Sequence, residues 1–172
     1  MILHAVDIGA SAERATCGIA ELDTLKLRTL LEGGDDLLGT RTIGGHDLMQ
    51  VLAAVQRAAS VGATILVEQP FLSLKFGNPK TFEMLITVRQ RFVDLCTIYK
   101  VPCHVIYAST WQVIFKHVPV GAAVVTKKSE KLTKKQAEWL ATHIYGERLA
   151  GCTGHEMDAA LMGRWWGFTH GS

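Results

Sequence analysis

The spacing of apolar residues changes near residue 46 from a pattern typical of strands to one typical of a helix, and this change limits the folds that the chain can adopt. Before it, residues 2–8 and 15–22 are short apolar runs typical of buried strands, and residues 25–31 alternate leucines with basic residues at a period of two. After it, residues 46–61 repeat apolar side chains at helical spacing. The three strands are close enough in sequence to form an antiparallel meander.

Strands and helices alternate in the rest of the chain. Residues 63–68 and 103–107 are predicted strands. Pro79 after Asn78 marks the start of a helix that we expect to run to Tyr99. Three further helices are predicted over residues 109–116, over residues 133–146 and from residue 154 onward.

The resulting order of elements, β-β-β-α-β-α-β-α-α-α, predicts an α/β protein with a mixed five-stranded sheet flanked by helices. This outline matches the ribonuclease H-like fold. A length of 172 residues suits a single domain, residues 1–172, with one core.

The N-terminal segment and the cysteines bear on where the protein works. No apolar run approaches the roughly 20 residues of a membrane span. The first strand has no basic region before it and reaches Asp7 at once, so it is a poor signal peptide and we expect a cytoplasmic protein. Four cysteines lack CxxC or zinc-finger spacing, and Cys17, Cys96 and Cys103 are predicted to be small core residues.

Two acidic residues occupy strands that are otherwise apolar. Asp7 lies inside the first strand, and Glu68 closes the fourth. A carboxylate in such a setting is costly unless it is paired or bound to a cation. Each acid taken alone is equally well explained as a strand-end residue in a salt bridge or turn.

The last predicted helix begins GHEMDAALMGRWW and adds two more polar groups to these strands. On a helix His155, Asp158, Met162 and Trp165 share one face. Since the apolar members should pack on the sheet, the histidine and the aspartate must point the same way, whereas Glu156 falls about 100° away and is expected to be solvated.

Three acids and a histidine that converge can hold one or two hard divalent cations. Two such ions can clamp a scissile phosphate, activate a water and stabilise the leaving oxygen. The constellation therefore points to phosphodiester hydrolysis.

A group of lysines precedes the fourth predicted helix. Within nine residues the chain carries Lys127, Lys128, Lys131, Lys134 and Lys135. Such a cluster can bind phosphates, and it can equally be a solvated lysine-rich loop.

Four segments together resemble the RuvC-type Holliday-junction resolvases of the ribonuclease H-like superfamily. They are VDIGAS at 6–11, LVEQPF at 66–71, TKKSEKLTKKQAEWL at 126–140 and GHEMDAALMGRWW at 154–166. The resemblance implies a Mg²⁺- or Mn²⁺-dependent endonuclease with two metals per site that resolves four-way junctions by paired nicks. It assigns catalysis and metal binding to Asp7, Glu68, His155 and Asp158.

The resemblance also implies partners. Phe71 matches an aromatic residue that inserts near the junction centre, although it also reads as a loop residue packed on the next helix. The lysine cluster matches a region that contacts the DNA backbone, with Lys134 or Lys135 as the best match. Family members form homodimers through the helix at 80–99, whose candidate interface residues are Phe82, Leu85, Phe92 and Val93.

Other functions compete with this one. VDIGAS also resembles the first phosphate motif of sugar kinases and actin-like ATPases, but those proteins need two such domains. A non-catalytic DNA-binding relative is disfavoured because all four metal positions carry ligand-capable residues. A related nuclease that cuts forks, flaps or RNA–DNA hybrids is the main alternative. The divergence of segments such as LSLKFGNPKTFEM suggests a phage or mobile-element branch.

Overall fold

A computed structural model describes residues 1–11, 14–71, 78–115 and 133–170. In it a five-stranded sheet has the order β3-β2-β1-β4-β5. The first three strands pair antiparallel, and β1, β4 and β5 pair parallel. The strands are β1 (Ile2–Ser11), β2 (Arg14–Asp23), β3 (Leu37–Gly44), β4 (Thr64–Gln69) and β5 (Cys103–Tyr107).

Helices cover both faces of this sheet, so the mixed five-stranded α/β architecture expected from the sequence is confirmed. The α-helices are α1 (Leu48–Ser60), α2 (Pro79–Tyr99), α3 (Ala108–Phe115), α4 (Lys134–Tyr145) and α5 (Gly154–His170). In the described part of the chain, short 3₁₀ helices lie at Thr24–Lys26, Gly34–Asp36 and Gly146–Leu149. None of the helices in the described ranges combines the length and the apolar character needed to cross a bilayer.

Polar side chains fix where several helices begin. The Asp47 side chain accepts hydrogen bonds from the first backbone N–H groups of α1, which therefore starts at Leu48 rather than at residue 46. Asn78 caps α2 in the same way, ahead of Pro79. Thr133 and Gln136 form the expected reciprocal capping box of α4.

The period of two along the strands sorts the core into two apolar clusters. On one face Val6, Ile65 and Val67 pack with α1 and α2. On the other face Leu3 and Leu66 pack with α3, α4 and α5. Asp7 and Glu68 fall on the face of Leu3 and Leu66, because alternate residues of a strand share one side of the sheet. The site residues therefore face α5.

The side of α2 proposed for dimerisation is only partly available. Phe92 is completely buried in the cluster that joins α1 and α2 to the sheet, so its assignment to a dimer interface is wrong. The long helix needs this apolar side chain to bind its own sheet. Phe82, Leu85 and Val93 are half-buried.

The prediction of a strand over residues 25–31 is wrong. The third strand is β3, whose side chains are mostly half-buried or exposed and which lies at the sheet edge. The alternation of Leu25 and Leu27 with basic residues suggested a half-buried strand, but Leu25 is 79% exposed. The segment begins in the 3₁₀ helix Thr24–Lys26 and is irregular from residue 27 on, and its carbonyl groups bind a side chain from α5.

That side chain is Arg164, which has no solvent-exposed surface. Its guanidinium donates hydrogen bonds at 2.7 Å to the carbonyl oxygens of Thr29 and Leu30, and it also donates to the Glu32 carbonyl and the Asp36 carboxylate. Tyr145 donates a further hydrogen bond to Asp36 at 3.2 Å. One buried arginine thus ties the irregular segment before β3 to the last helix.

We predict that Arg164→Met destabilises the fold by about 3–5 kcal/mol, because it leaves the Asp36 carboxylate buried without its cation. The matched control is Arg148→Met. Arg148 donates to carbonyls of the same segment and to Asp35, but about half of its side chain is exposed, so its loss should cost less than about 1 kcal/mol. Urea unfolding of both variants makes the comparison, and equal losses would contradict the role given to Arg164.

Candidate active site

Asp7, midway along β1, and Glu68, near the end of β4, lie side by side on two neighbouring parallel strands. The ladder between β1 and β4 has Val6 opposite Val67 as its last pair, and each acid is the next residue along. Asp7 is 7% exposed and Glu68 is half-buried. The pleat turns both carboxylates toward the same helix, α5.

Two glycines allow the first turn of α5 to approach these strands closely. A Cβ atom on Gly18 would lie 2.2 Å from the His155 carbonyl carbon and 2.4 Å from the Glu156 backbone nitrogen. A Cβ atom on Gly9 would lie 1.8 Å from Cε1 of the His155 ring. The helix therefore rests on strand backbone. Sequence reasoning missed this role, although a glycine inside a strand is a known signal of close backbone approach.

His155 and Asp7 are in direct contact. The imidazole Nδ1 lies 2.5 Å from Asp7 Oδ2, and about a third of the histidine side chain remains exposed. This hydrogen bond raises the pKa of His155, against the effect of burial. The pair fixes the orientation of the Asp7 carboxylate from the helix side.

Glu156 does not behave as the sequence suggested. It is 8% exposed rather than solvated. Its Oε2 accepts hydrogen bonds from the Thr153 backbone N–H at 2.8 Å and from the Thr153 hydroxyl at 2.9 Å, and its own N–H donates to that hydroxyl. The two residues form a capping box that starts α5, so this carboxylate is committed to the helix.

The carboxylates of the site raise one another's proton affinity. Burial raises the pKa of the Glu68 carboxyl well above its usual range, and the negative charges of Asp7 and Asp158 raise it further. Burial also raises the pKa of Asp158 to about 7, with a further contribution from Asp7. His155 and Lys134 lower the pKa of Asp158 and so offset part of this effect.

A cavity of about 300 Å³ lies beside these groups. It is lined by Gln112, Lys134, Ala137, Gly154, His155 and Asp158. The cavity therefore places a lysine of the predicted DNA-binding cluster next to two of the predicted catalytic residues. The cavity wall therefore carries both a cationic side chain, Lys134, and an anionic one, Asp158.

The remaining DNA-binding candidates differ in position. Lys135 is exposed on the first turn of α4, and Phe71, just beyond the end of β4, is 70% exposed. The other three lysines, Lys127, Lys128 and Lys131, lie outside the described residues.

Two residues of α3 adjoin the site without any sequence signal that we recognised. Trp111 is completely buried, and its indole N–H lowers the pKa of the Glu68 carboxyl, against the larger effect of burial. Gln112 lines the cavity, and its Oε1 has no hydrogen-bond partner in the described part of the chain. Trp111 therefore offers a polar N–H toward Glu68, and Gln112 adds a polar group to the cavity wall.

The four candidate side chains carry the types of ligand atom that a hard divalent cation binds. Three carboxylates and one imidazole are ligands that Mg²⁺ and Mn²⁺ accept, and a cation would relieve the repulsion that raises the pKa values of Glu68 and Asp158. As the side chains stand, no three His, Cys, Asp or Glu residues of the described ranges surround one metal position. The contact between His155 and Asp7 directs both groups at each other instead.

We predict that Gly9→Ala displaces the His155 ring, because the new methyl group would occupy the ring position. The hydrogen bond to Asp7 should be lost, and long-range ¹H–¹⁵N spectra of the imidazole should report a changed Nδ1 signal. Gly39→Ala is the control, since Gly39 lies in the same sheet and an added methyl there meets no atom within 4 Å. An unchanged His155 signal in the Gly9 variant would contradict the close approach.

Comparison with solved structures places this geometry in a known fold. The chain superposes on Thermus thermophilus RuvC in complex with Holliday junction substrate with a TM-score of 0.64 and 13% identity, covering 99% of this chain and 96% of that one. A second Thermus thermophilus RuvC structure gives a TM-score of 0.63 and 15% identity, with 98% and 94% covered. No family model and no curated protein matches the sequence.

At these identities the similarity concerns the fold. It extends over nearly the whole chain, including the strands and the helix that carry the four candidate residues. The ribonuclease H-like expectation from the sequence is therefore confirmed: the chain has a RuvC-like fold.

Proposed function

We propose that this chain is a divalent-metal-dependent endonuclease that cuts branched DNA, chiefly four-way junctions, by paired nicks. The observation that carries the proposal is the convergence of Asp7, Glu68, His155 and Asp158 from β1, β4 and α5 beside a cavity that also holds Lys134. The RuvC-like fold supports it, because one of the similar structures is a RuvC bound to a Holliday junction substrate.

The charge of the site explains why a cation is part of the proposal. A phosphodiester that enters the cavity would meet Asp158 in its wall, with Asp7 and Glu68 near that carboxylate, and like charges repel strongly in a partly buried site. Mg²⁺ or Mn²⁺, two ions per site, held by Asp7, Glu68, His155 and Asp158 would supply neutralisation, polarisation of the scissile phosphate and activation of the attacking water.

The protein's own side chains position the carboxylates and the phosphate. A 2.5 Å hydrogen bond joins His155 to Asp7 as the side chains stand, and the indole N–H of the buried Trp111 favours the charged form of Glu68. Lys134 offers an ammonium group to a phosphate oxygen in the cavity. Its ion pair with Glu138 spans 4.0 Å at the surface, which is weak enough for a phosphate to replace.

The remaining DNA contacts belong to the same proposal. Lys135 and the lysines at 127, 128 and 131 would bind the backbone, and Phe71 would contact bases near the branch. With DNA as its substrate, the protein would act inside the cell.

A junction has two-fold related strands, so paired nicks call for two sites. We therefore propose a homodimer through α2, with Phe82, Leu85 and Val93 as contacts and without Phe92. Sedimentation that shows only monomer, both free and on a junction, would contradict the dimer.

We predict that Asp7→Asn reduces junction cleavage by more than about a hundredfold and leaves junction binding nearly unchanged. The side chain lies at the centre of the site, whereas binding depends mainly on lysines. Asp35→Asn is the control, because it makes the same change on an exposed acid. Cleavage is measured side by side on a mobile four-way junction, a fork, a flap and an RNA–DNA hybrid.

Each result of this assay has a distinct meaning. Near wild-type cutting by the Asp7 variant would contradict the site. Faster cutting of the fork, the flap or the hybrid by the wild type would favour the alternative nuclease function over junction resolution.

The histidine makes the metal preference testable. An imidazole suits Mn²⁺ better than Mg²⁺, and it replaces a negative charge that would help to hold Mg²⁺. We predict greater activity with Mn²⁺ than with Mg²⁺ at equal concentration, a shift toward Mg²⁺ in His155→Asp, and a loss with both metals in His155→Ala. Cleavage rate is measured against metal concentration. If His155→Ala cut like the wild type with both metals, His155 would be a structural residue.

A further inference from the structure

The outer face of α4 carries a stripe of three exposed side chains that lie outside the candidate metal site. Lys135, Trp139 and His143 follow one another at intervals of four residues, so they line up along the helix. All three are exposed, while the opposite side of α4 packs into the core through Leu140 and Ile144. We name these three residues the α4 stripe.

The two rings of the α4 stripe form a flat surface. The Trp139 and His143 rings are stacked, with centroids 4.9 Å apart and planes within 6°. Trp139 is 38% exposed, whereas Trp111 and Trp165 are buried. A large aromatic ring held in one orientation at the surface loses little further freedom when a second planar group stacks on it.

The surroundings of the α4 stripe favour an anionic partner. Lys135 lies one turn before Trp139, and the preceding residue, Lys134, lines the candidate active-site cavity. By helix geometry Trp139 is only about 7.5 Å further along the axis than Lys134. The one carboxylate of α4, Glu138, pairs with Lys134 and not with Lys135. Flat rings next to the ammonium group of Lys135 suit a nucleotide.

We propose that the α4 stripe binds an unpaired nucleotide of the branched substrate, with its base stacked on Trp139 and its phosphate held by Lys135. This inference rests on the proposed function and adds to it a binding subsite outside the metal site. The base must be unpaired, because both faces of a base inside a duplex are already covered by its neighbours. A branch point or a strand end offers such a base close to the cut.

The test compares two DNA ligands on protein that carries Asp7→Asn, so that no cleavage occurs. One ligand is a branched DNA with unpaired nucleotides at the branch, and the other is a fully paired duplex of equal length. Trp139→Ala should weaken binding of the branched DNA about tenfold or more and leave duplex binding nearly unchanged. Phe168→Ala is the control, since it removes an aromatic ring that is 50% exposed at the far end of α5.

Tryptophan fluorescence provides a second readout. Stacking of a base should quench Trp139, and the quenching on addition of the branched DNA should disappear in Trp139→Phe, which keeps a ring for binding. Thermal unfolding of each variant establishes that the fold is intact.

The outcomes separate the inference from the function on which it rests. If the protein with Trp139 intact binds branched DNA and the Trp139→Ala variant binds it equally well, the proposed subsite does not exist, and the proposed function stands. If Trp139→Ala weakens both ligands equally, the α4 stripe has no preference for unpaired bases and the inference is also wrong. If the protein with Trp139 intact did not bind branched DNA at all, both proposals would be wrong.

Discussion

The seating of α5 directly on the backbone of β1 and β2 is the constraint on which the candidate site depends. At the first turn of the helix Gly9 and Gly18 leave no side chain between helix and strand, and midway along the helix Gly163 packs against Leu22 and Ala5. Arg164 then fixes the segment before β3 to the same helix. A helix held along its length in this way cannot move away from the strands, so His155 and Asp158 stay close to Asp7 and Glu68.

The cost of this arrangement is electrostatic, and it is concentrated at the site. Burial and mutual repulsion raise the pKa values of Glu68 and Asp158, and His155 and Lys134 offset only part of the effect. The two apolar clusters and the buried Arg164 network stabilise the fold and so offset this electrostatic cost. Local interactions that oppose folding are typical of functional sites, because the same unbalanced charge is available to bind a ligand.

Sequence patterns predicted those parts of the molecule that depend on neighbours along the chain. Strand periodicity located β1, β4 and β5, and the caps at Asn78 and Thr133 located α2 and α4. The same periodicity, together with the helical spacing of His155 and Asp158, predicted that four polar groups would meet. The prediction of a strand over residues 25–31 was wrong, because Arg164, which is distant in sequence, binds carbonyl groups of this segment. The prediction that Glu156 is solvated was wrong, although the Thr-x-x-Glu pattern of its capping box is present in the sequence. No local sequence pattern marked Trp111 or Gln112 as neighbours of the site.

The central claim is that the four convergent side chains form a divalent-metal site. Diffraction from crystals soaked in Mn²⁺, with anomalous differences measured at the manganese edge, tests it most directly. We predict anomalous density between Asp7, Glu68 and Asp158, with the His155 ring turned from the Asp7 carboxylate toward the ion. A map without anomalous density at this position at millimolar Mn²⁺, with the hydrogen bond between His155 and Asp7 intact, would contradict it.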